Sequence, residues 1–431
     1  MRKMTRLFVA SLCMIALNSC GEQPKKVYEP KEVDVFPTLT TEAIPYRIPS
    51  ITTTSKGDLL AVADFRHCRA DIGFGRVDLH GRISKDNGTT WGDIFTIIEG
   101  DGILVNEDPN QSLNAGYGDP CLIADRESNR VLLLCVAGYQ VFFRSSRETP
   151  NQVCIMHSED GGQTWGKPKI ITDQFYVPLD ASDVGPIQSM FIGSGRIFQS
   201  RSVKVGDYYR LYASMLARDK DNNFCNFVVY SDDFGDNWTI LGGVNVPGIP
   251  SKGDEPKTEE LPDGSLLLSS RTDGGRRYNI FKFTNAEKAE GSWGESAYSG
   301  AENNGVTALE NSCNGEVMIL PVIRNSDKKK IHIALQSLPF GPKRTNVGIY
   351  YKELADASDY GTAADFAKDW DGRFQVTELP SAYSTMIQQA DGEIAFLYEE
   401  DKYKTQGGGY TIVYKNLTID LITEGKYSLN Q

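Results

Sequence analysis

One octet, Ser-x-Asp-x-Gly-x-x-Trp, occurs three times, at Ser84 to Trp91, Ser158 to Trp165 and Ser231 to Trp238. The serines are 74 and then 73 residues apart. A motif that returns at a near-constant period restricts a chain to a repeat architecture, here with a unit longer than the usual solenoid repeat. The octet also has local chemistry. Asp bonds nearby backbone N–H groups and Gly tolerates positive φ, so the pair suits a tight turn. The Trp ring then covers that turn and buries against a sheet.

From Asp34 onward, strand-like runs alternate with turn signals, for example Leu59 to Phe65, Val131 to Val136, Phe227 to Tyr230 and Ser265 to Ser269. A unit of roughly 70 residues supplies one four-stranded blade with its loops, and about 395 residues make six. The expectation is an all-β chain, a six-bladed β-propeller over residues 34–431. Trp293 and Trp370 mark units that lack the full octet, and Ala363 to Lys368 reads as a short helix in a late loop. No linker divides off a second domain.

Composition narrows the partners. The formal net charge is −12, which argues against nucleic acid, although a few convergent Arg residues still bind an anion locally. Residues 1–20 read as a signal peptide: Arg2, Lys3 and Arg6 precede the apolar run Leu7 to Leu17. That run is short for a membrane span. The ending Leu17-Asn18-Ser19-Cys20 resembles a bacterial lipobox, which implies lipidation of Cys20 and a membrane-anchored lipoprotein of the cell envelope, periplasmic or surface-exposed. Residues 21–33, polar and holding Pro24 and Pro30, read as a tether. The six later cysteines form no C-x-x-C pair and the four His form no close pair. They read as buried small residues and isolated side chains, so neither a metal nor another cofactor is expected.

Together with the octets, further motifs make most of the chain resemble the bacterial exo-α-sialidase (neuraminidase) family with Asp-box repeats. They are Tyr46-Arg47-Ile48-Pro49, the segment Leu261 to Arg271, Lys343-Arg344-Thr345-Asn346, and Ala382-Tyr383-Ser384. In that family the box is structural. The resemblance implies a triad of Arg47, Arg271 and Arg344 that grips a substrate carboxylate. The chemistry agrees, because a guanidinium is permanently charged and meets a carboxylate as a fork. It also implies Tyr383 as nucleophile and Glu255, 16 residues before Arg271, as the base that activates it. A phenol with an ordinary pKa of about 10 needs such a base at neutral pH. Glu259 and Glu260 are rivals for that role.

Asp71 lies 24 residues after Arg47 on a Gly-containing loop, and by resemblance it is the general acid/base, with Asp78 as its rival. Arg66 reads as an additional pocket arginine placed to steer Asp71. Asp119 reads either as a contact to a sugar substituent or as a simple Asp-Pro turn. The implied activity is retaining exo-α-sialidase action on sialylated glycans or glycoproteins through a tyrosyl-enzyme intermediate. The alternatives are a non-catalytic sialoglycan-binding propeller and a propeller hydrolase for another acidic sugar.

Overall fold

The computed structural model describes residues 30–104, 111–310, 313–405 and 409–430. Six sheets, antiparallel but for the short parallel pairing of Gly195–Arg196 with Tyr117–Ala124, follow one another around an axis, the all-β six-bladed propeller expected. Blade 1 is Tyr46–Thr53, Leu59–Phe65, Asp78–Ser84 and Phe95–Ile98. Blade 2 begins with Tyr117–Ala124 and blade 3 has Tyr208–Arg218 at its centre. Blade 4 holds Pro256–Glu260, Leu266–Thr272, Gly275–Asn285 and Glu290–Trp293, with the short strand Ala297–Ser299 paired to the third. Blade 5 runs from Val317–Arg324, and blade 6 holds Ser381–Gln388, Ile394–Glu400 and Thr411–Leu417. The outer strand of blade 6 comes from the other end of the chain: Glu32–Phe36 pairs antiparallel with Thr411–Leu417, Glu32 facing Lys415 and Phe36 facing Ile412. The stretch read as a tether therefore gives way to strand at Glu32, two residues early. Residues 1–29, with Cys20 and the signal-like run, lie outside the described residues.

The second strands explain why the sequence shows apolar runs rather than alternation. Every residue of Val131–Ala137 is buried, because the sheet is covered on both faces. Leu132 and Leu134 pack towards blade 3, whereas Val131, Leu133 and Cys135 pack towards blade 1. Period-two geometry thus sends neighbouring side chains into different seams. Equivalent clusters fill the seams between blades 3 and 4, 4 and 5, 5 and 6, and 6 and 1.

The three octets form the turn between the third and fourth strands of blades 1, 2 and 3. In each, the Ser hydroxyl donates to the box Asp (2.9, 2.8 and 2.8 Å) and accepts from the box Gly N–H (2.9, 2.8 and 2.8 Å). Each box Gly has positive φ: Gly88 +72°, Gly162 +88° and Gly235 +93°. Each also packs on the blade before it. A Cβ at Gly88 would strike Tyr414 of blade 6, one at Gly162 would strike Leu60 of blade 1, and one at Gly235 would strike Leu132 of blade 2. The box is thus a joint between blades as well as a turn.

Ala363–Ala367 is helical, as the sequence suggested, with the Thr362 side chain capping it. All six described cysteines, at 68, 121, 135, 154, 225 and 313, are free thiols, five of them buried.

Gly235→Ala combines a strained φ with a clash in the seam between blades 2 and 3. It should lower unfolding stability by about 2–4 kcal/mol. Gly206 has φ +59° and nothing within 4 Å of the added methyl, so Gly206→Ala should cost only about 1 kcal/mol. Guanidinium denaturation of the two variants checks the contrast.

Candidate active site

In an antiparallel blade the first strand starts, and the second ends, at the same rim. This brings distant residues together at one mouth of the propeller. Arg47 opens the first strand of blade 1, and Arg66 follows the end of its second strand. Asp71 lies in the following loop. Asp119 is on the first strand of blade 2, Glu255 precedes the first strand of blade 4, and Arg271 is near the end of its second. Arg344 sits between the second and third strands of blade 5, and Tyr383 is on the first strand of blade 6. All eight line one cavity of about 390 Å³.

Three of the inner strands break register where they enter the site: between Arg47 and Ser50, between Gly118 and Cys121, and between Ser381 and Ser384. Ile48 and Asp119 take φ of +55° and +54° there. A bulge re-aims side chains and tightens twist, and a β-branched residue with positive φ is a true outlier. Such strain persists only where the surroundings hold it. Asp64 holds Asp119, accepting its N–H at 2.9 Å.

Arg47, Arg66 and Arg271 pair with carboxylates, and Arg344 meets a ring face. Arg47 bonds Glu399 through Nε (2.7 Å) and Nη2 (3.3 Å). The same fully buried carboxylate accepts the N–H groups of Ile48 (2.8 Å) and Tyr383 (3.2 Å). Arg66 bonds buried Asp64 at 2.8 and 3.0 Å and lies 3.2 Å from Asp71 and 3.9 Å from Asp119. Arg271 bonds Glu255 at 2.9 Å and lies 3.4 Å from Asp254. Arg344 lies over the Tyr383 ring, 5.6 Å from its centroid, a geometry in which the ring face attracts a cation.

The other oxygen of Glu255 accepts a 2.5 Å hydrogen bond from the Tyr383 hydroxyl. Burial, then the charge of Glu255, push the Tyr383 phenol well above its ordinary value, with Arg271 and Arg344 opposing them. The resting phenol is therefore protonated, and it already touches an acceptor for that proton. Burial raises the Asp119 carboxyl too, followed by Asp71 and Asp64. Asp71 is different: its side chain is 61% exposed at the cavity mouth, where it can exchange protons with a ligand and with water.

The rival residues lie elsewhere. Asp78 is buried between Arg76 and His67, both at 2.9 Å. Glu259 bonds Arg196 and Arg201 at 2.8 and 2.7 Å, and Glu260 accepts the Arg201 N–H. The sequence reading missed Glu399, Asp64 and Asp254. Asp64 carries a legible signal, for it is the one acid inside an otherwise apolar strand, where burial demands a partner; Glu399 is one of two adjacent acids at the end of its strand. It also missed an aromatic wall of Phe74, Phe142, Phe143, Phe191 and Phe224. Among the described residues, no group of His, Cys, Asp and Glu is placed to hold a metal.

The fold and site define a six-bladed propeller whose mouth gathers arginines around a buried tyrosine–glutamate pair. The chain belongs to the family of the BNR repeat-like domain, whose model matches residues 48–337. It is 29% identical to a sialidase of Micromonospora viridifaciens over 369 residues, 82% of this chain and 50% of that protein. It is 26% identical to a sialidase of Paraclostridium sordellii over 292 residues, 64% of this chain and 66% of that protein. The chain thus spans half of the first relative's length and just under two thirds of the second's. A leech intramolecular trans-sialidase complexed with 2,7-anhydro-Neu5Ac shares the fold, with a TM-score of 0.68 at 18% identity over 90% of this chain and 71% of that one.

Glu399→Ala would leave Arg47 and two backbone N–H groups without their buried acceptor. The variant should lose about 3–5 kcal/mol of stability. Glu399→Gln keeps an acceptor oxygen and should lose less, as read by chemical denaturation.

Proposed function

We propose that the protein is a retaining exo-α-sialidase that releases terminal sialic acids from glycans or glycoproteins. The observation that carries this reading is the 2.5 Å bond from Tyr383 to Glu255 within an arginine-lined cavity. Arg47, Arg271 and Arg344 take the substrate carboxylate, and Asp71, steered by Arg66, protonates the departing oxygen. Tyr383 gives its proton to Glu255 and attacks the anomeric carbon. Asp71 then removes a proton from water, the water displaces the tyrosyl oxygen, and Glu255 returns the proton to it. A neutral nucleophile suits this substrate, because a carboxylate nucleophile would meet the negative charge beside the reacting carbon. Tyrosine is the known exception to the two-carboxylate pattern of glycosidases. The relatives named sialidase support the reading.

Tyr383→Phe removes the attacking oxygen and keeps the ring. Turnover of a methylumbelliferyl sialoside should fall by at least about 10³-fold, with thermal stability close to the parent. A fluorinated sialosyl fluoride should label Tyr383 of the parent, located by peptide mass mapping, and Glu255→Gln should slow both formation and breakdown of that adduct. An adduct elsewhere, or near-normal turnover by Tyr383→Phe, overturns the mechanism. Arg271→Ala or Arg344→Ala should weaken a sialic-acid-like inhibitor by about 1.5–3 kcal/mol. Product analysis separates hydrolysis, which yields the free sugar, from intramolecular transfer, which yields an anhydro sugar.

The location follows from the lipobox-like motif ending at Cys20. Cys20→Ala should release the protein from the membrane fraction or leave it unprocessed. A processed variant that stays membrane-bound counts against anchoring.

A further inference from the structure

Beside the first cavity lies a second of about 660 Å³, which shares Phe224, Asp254 and Arg271 with it. Its remaining wall includes Lys252, Asp273, Arg277 and Tyr298. Arg277 is on the third strand of blade 4, across from Ser270 on one side and Tyr298 on the other. The alternation of that strand buries Arg276 completely and turns Arg277 to this cleft. The Arg277 Nε is buried and has no hydrogen-bond partner among the described residues. Neither Arg277 nor exposed Lys252 makes an ion pair among the described residues.

The acids of the cleft do not occupy these cations. Asp254 faces Arg271 at 3.4 Å. Asp273 is exposed, and only its backbone carbonyl is engaged, by the Tyr298 hydroxyl at 3.2 Å. With Arg271 paired to Glu255 and Asp254, Arg277 and Lys252 face the cleft with Asp273 as the remaining acid, in a chain of net charge −12. Arg277 is only half-buried on the cleft wall, so its outer guanidinium nitrogens can donate a charge-assisted hydrogen bond to an anion in the cleft.

We propose that this cleft is a second anion subsite, in which Arg277 and Lys252 hold the carboxylate of an acidic sugar linked to the one gripped by Arg47, Arg271 and Arg344. The inference rests on the sialidase reading and names its preferred substrate class, oligomers of acidic sugars. The second sugar is the leaving sugar, because an exo-acting site grips the terminal residue.

The test uses an α2,8-linked sialic acid trimer tagged at its reducing end, with sialyllactose and a methylumbelliferyl sialoside as neutral-leaving-group substrates. The variants are Arg277→Gln and Lys252→Asn, the latter at a φ of +60° that Asn tolerates. In each variant, kcat/KM on the trimer should fall about tenfold, as expected on losing one charge-assisted hydrogen bond. On the two neutral-leaving-group substrates it should change less than about twofold, because these present no second carboxylate to Arg277 or Lys252. Monomer as first product, at a rate that depends on Arg277, supports the subsite on the leaving side. Release of an untagged dimer, an internal cut, overturns that placement. Equal effects on trimer and sialyllactose, no effect on either, or a trimer left uncut by an enzyme active on sialyllactose would each overturn it while leaving the sialidase reading intact. A parent protein inert on all three substrates removes both.

Discussion

Glu399 is a fully buried carboxylate at the seam where the last blade meets the first. It reaches from blade 6 into blade 1, binds Arg47 twice, and accepts the N–H of Ile48 and that of Tyr383. A buried charge persists only with this degree of satisfaction. The four bonds explain three features that otherwise look separate. They aim a guanidinium into the mouth, they supply an acceptor for the N–H at the Ile48 bulge, and they fix the backbone that carries Tyr383. Ring closure and site assembly are therefore one event. Arg66 repeats the scheme with Asp64, and Arg271 pairs with Glu255 and Asp254, so part of the repulsion among the gathered arginines is offset by carboxylates.

The first three blades were legible because their strand-to-strand turns use the octet, and the octet is there because its glycine must lie flat on the preceding blade. Blade 4 meets the same packing need in another way. Its turn after Gly275–Asn285 is held by Arg210 of blade 3, which donates to the carbonyls of Ala286 and Glu287 at 2.6 and 2.7 Å. A contact made by a residue 76 positions away leaves no local motif, and Trp293 alone was not enough to place the turn.

The site was legible by type and not by partnership. Arg47 and Glu399 are 352 residues apart, and nothing local to either reveals the other. The choice of Glu255 over Glu259 and Glu260 also depends on the fold. Glu255 precedes its strand and faces the mouth, whereas Glu259 falls deeper along the same strand and is consumed by Arg196 and Arg201. The left-handed backbone at Ile48 was not legible, because a β-branched residue disfavours it. Asp78 stood as the rival to Asp71 in the sequence, and the Arg76–His67 clasp around it assigns it to scaffolding.

The pairing of Glu32–Phe36 with Thr411–Leu417 has a consequence for how the protein comes into being. Synthesis runs from the N-terminus, so these five residues emerge among the first of the described chain and find their partner strand among the last. Until then the ring is an open arc, and its final sheet shows a bare edge of the kind that recruits foreign strands. The closing loop spans nearly the whole chain, and such non-local pairing is slow to form. The last step of assembly is a clasp between the oldest and youngest segments, and it completes the outer edge of the blade whose inner strand carries Tyr383. A ribosome-bound or C-terminally truncated chain can thus own five sound blades and still have no working mouth.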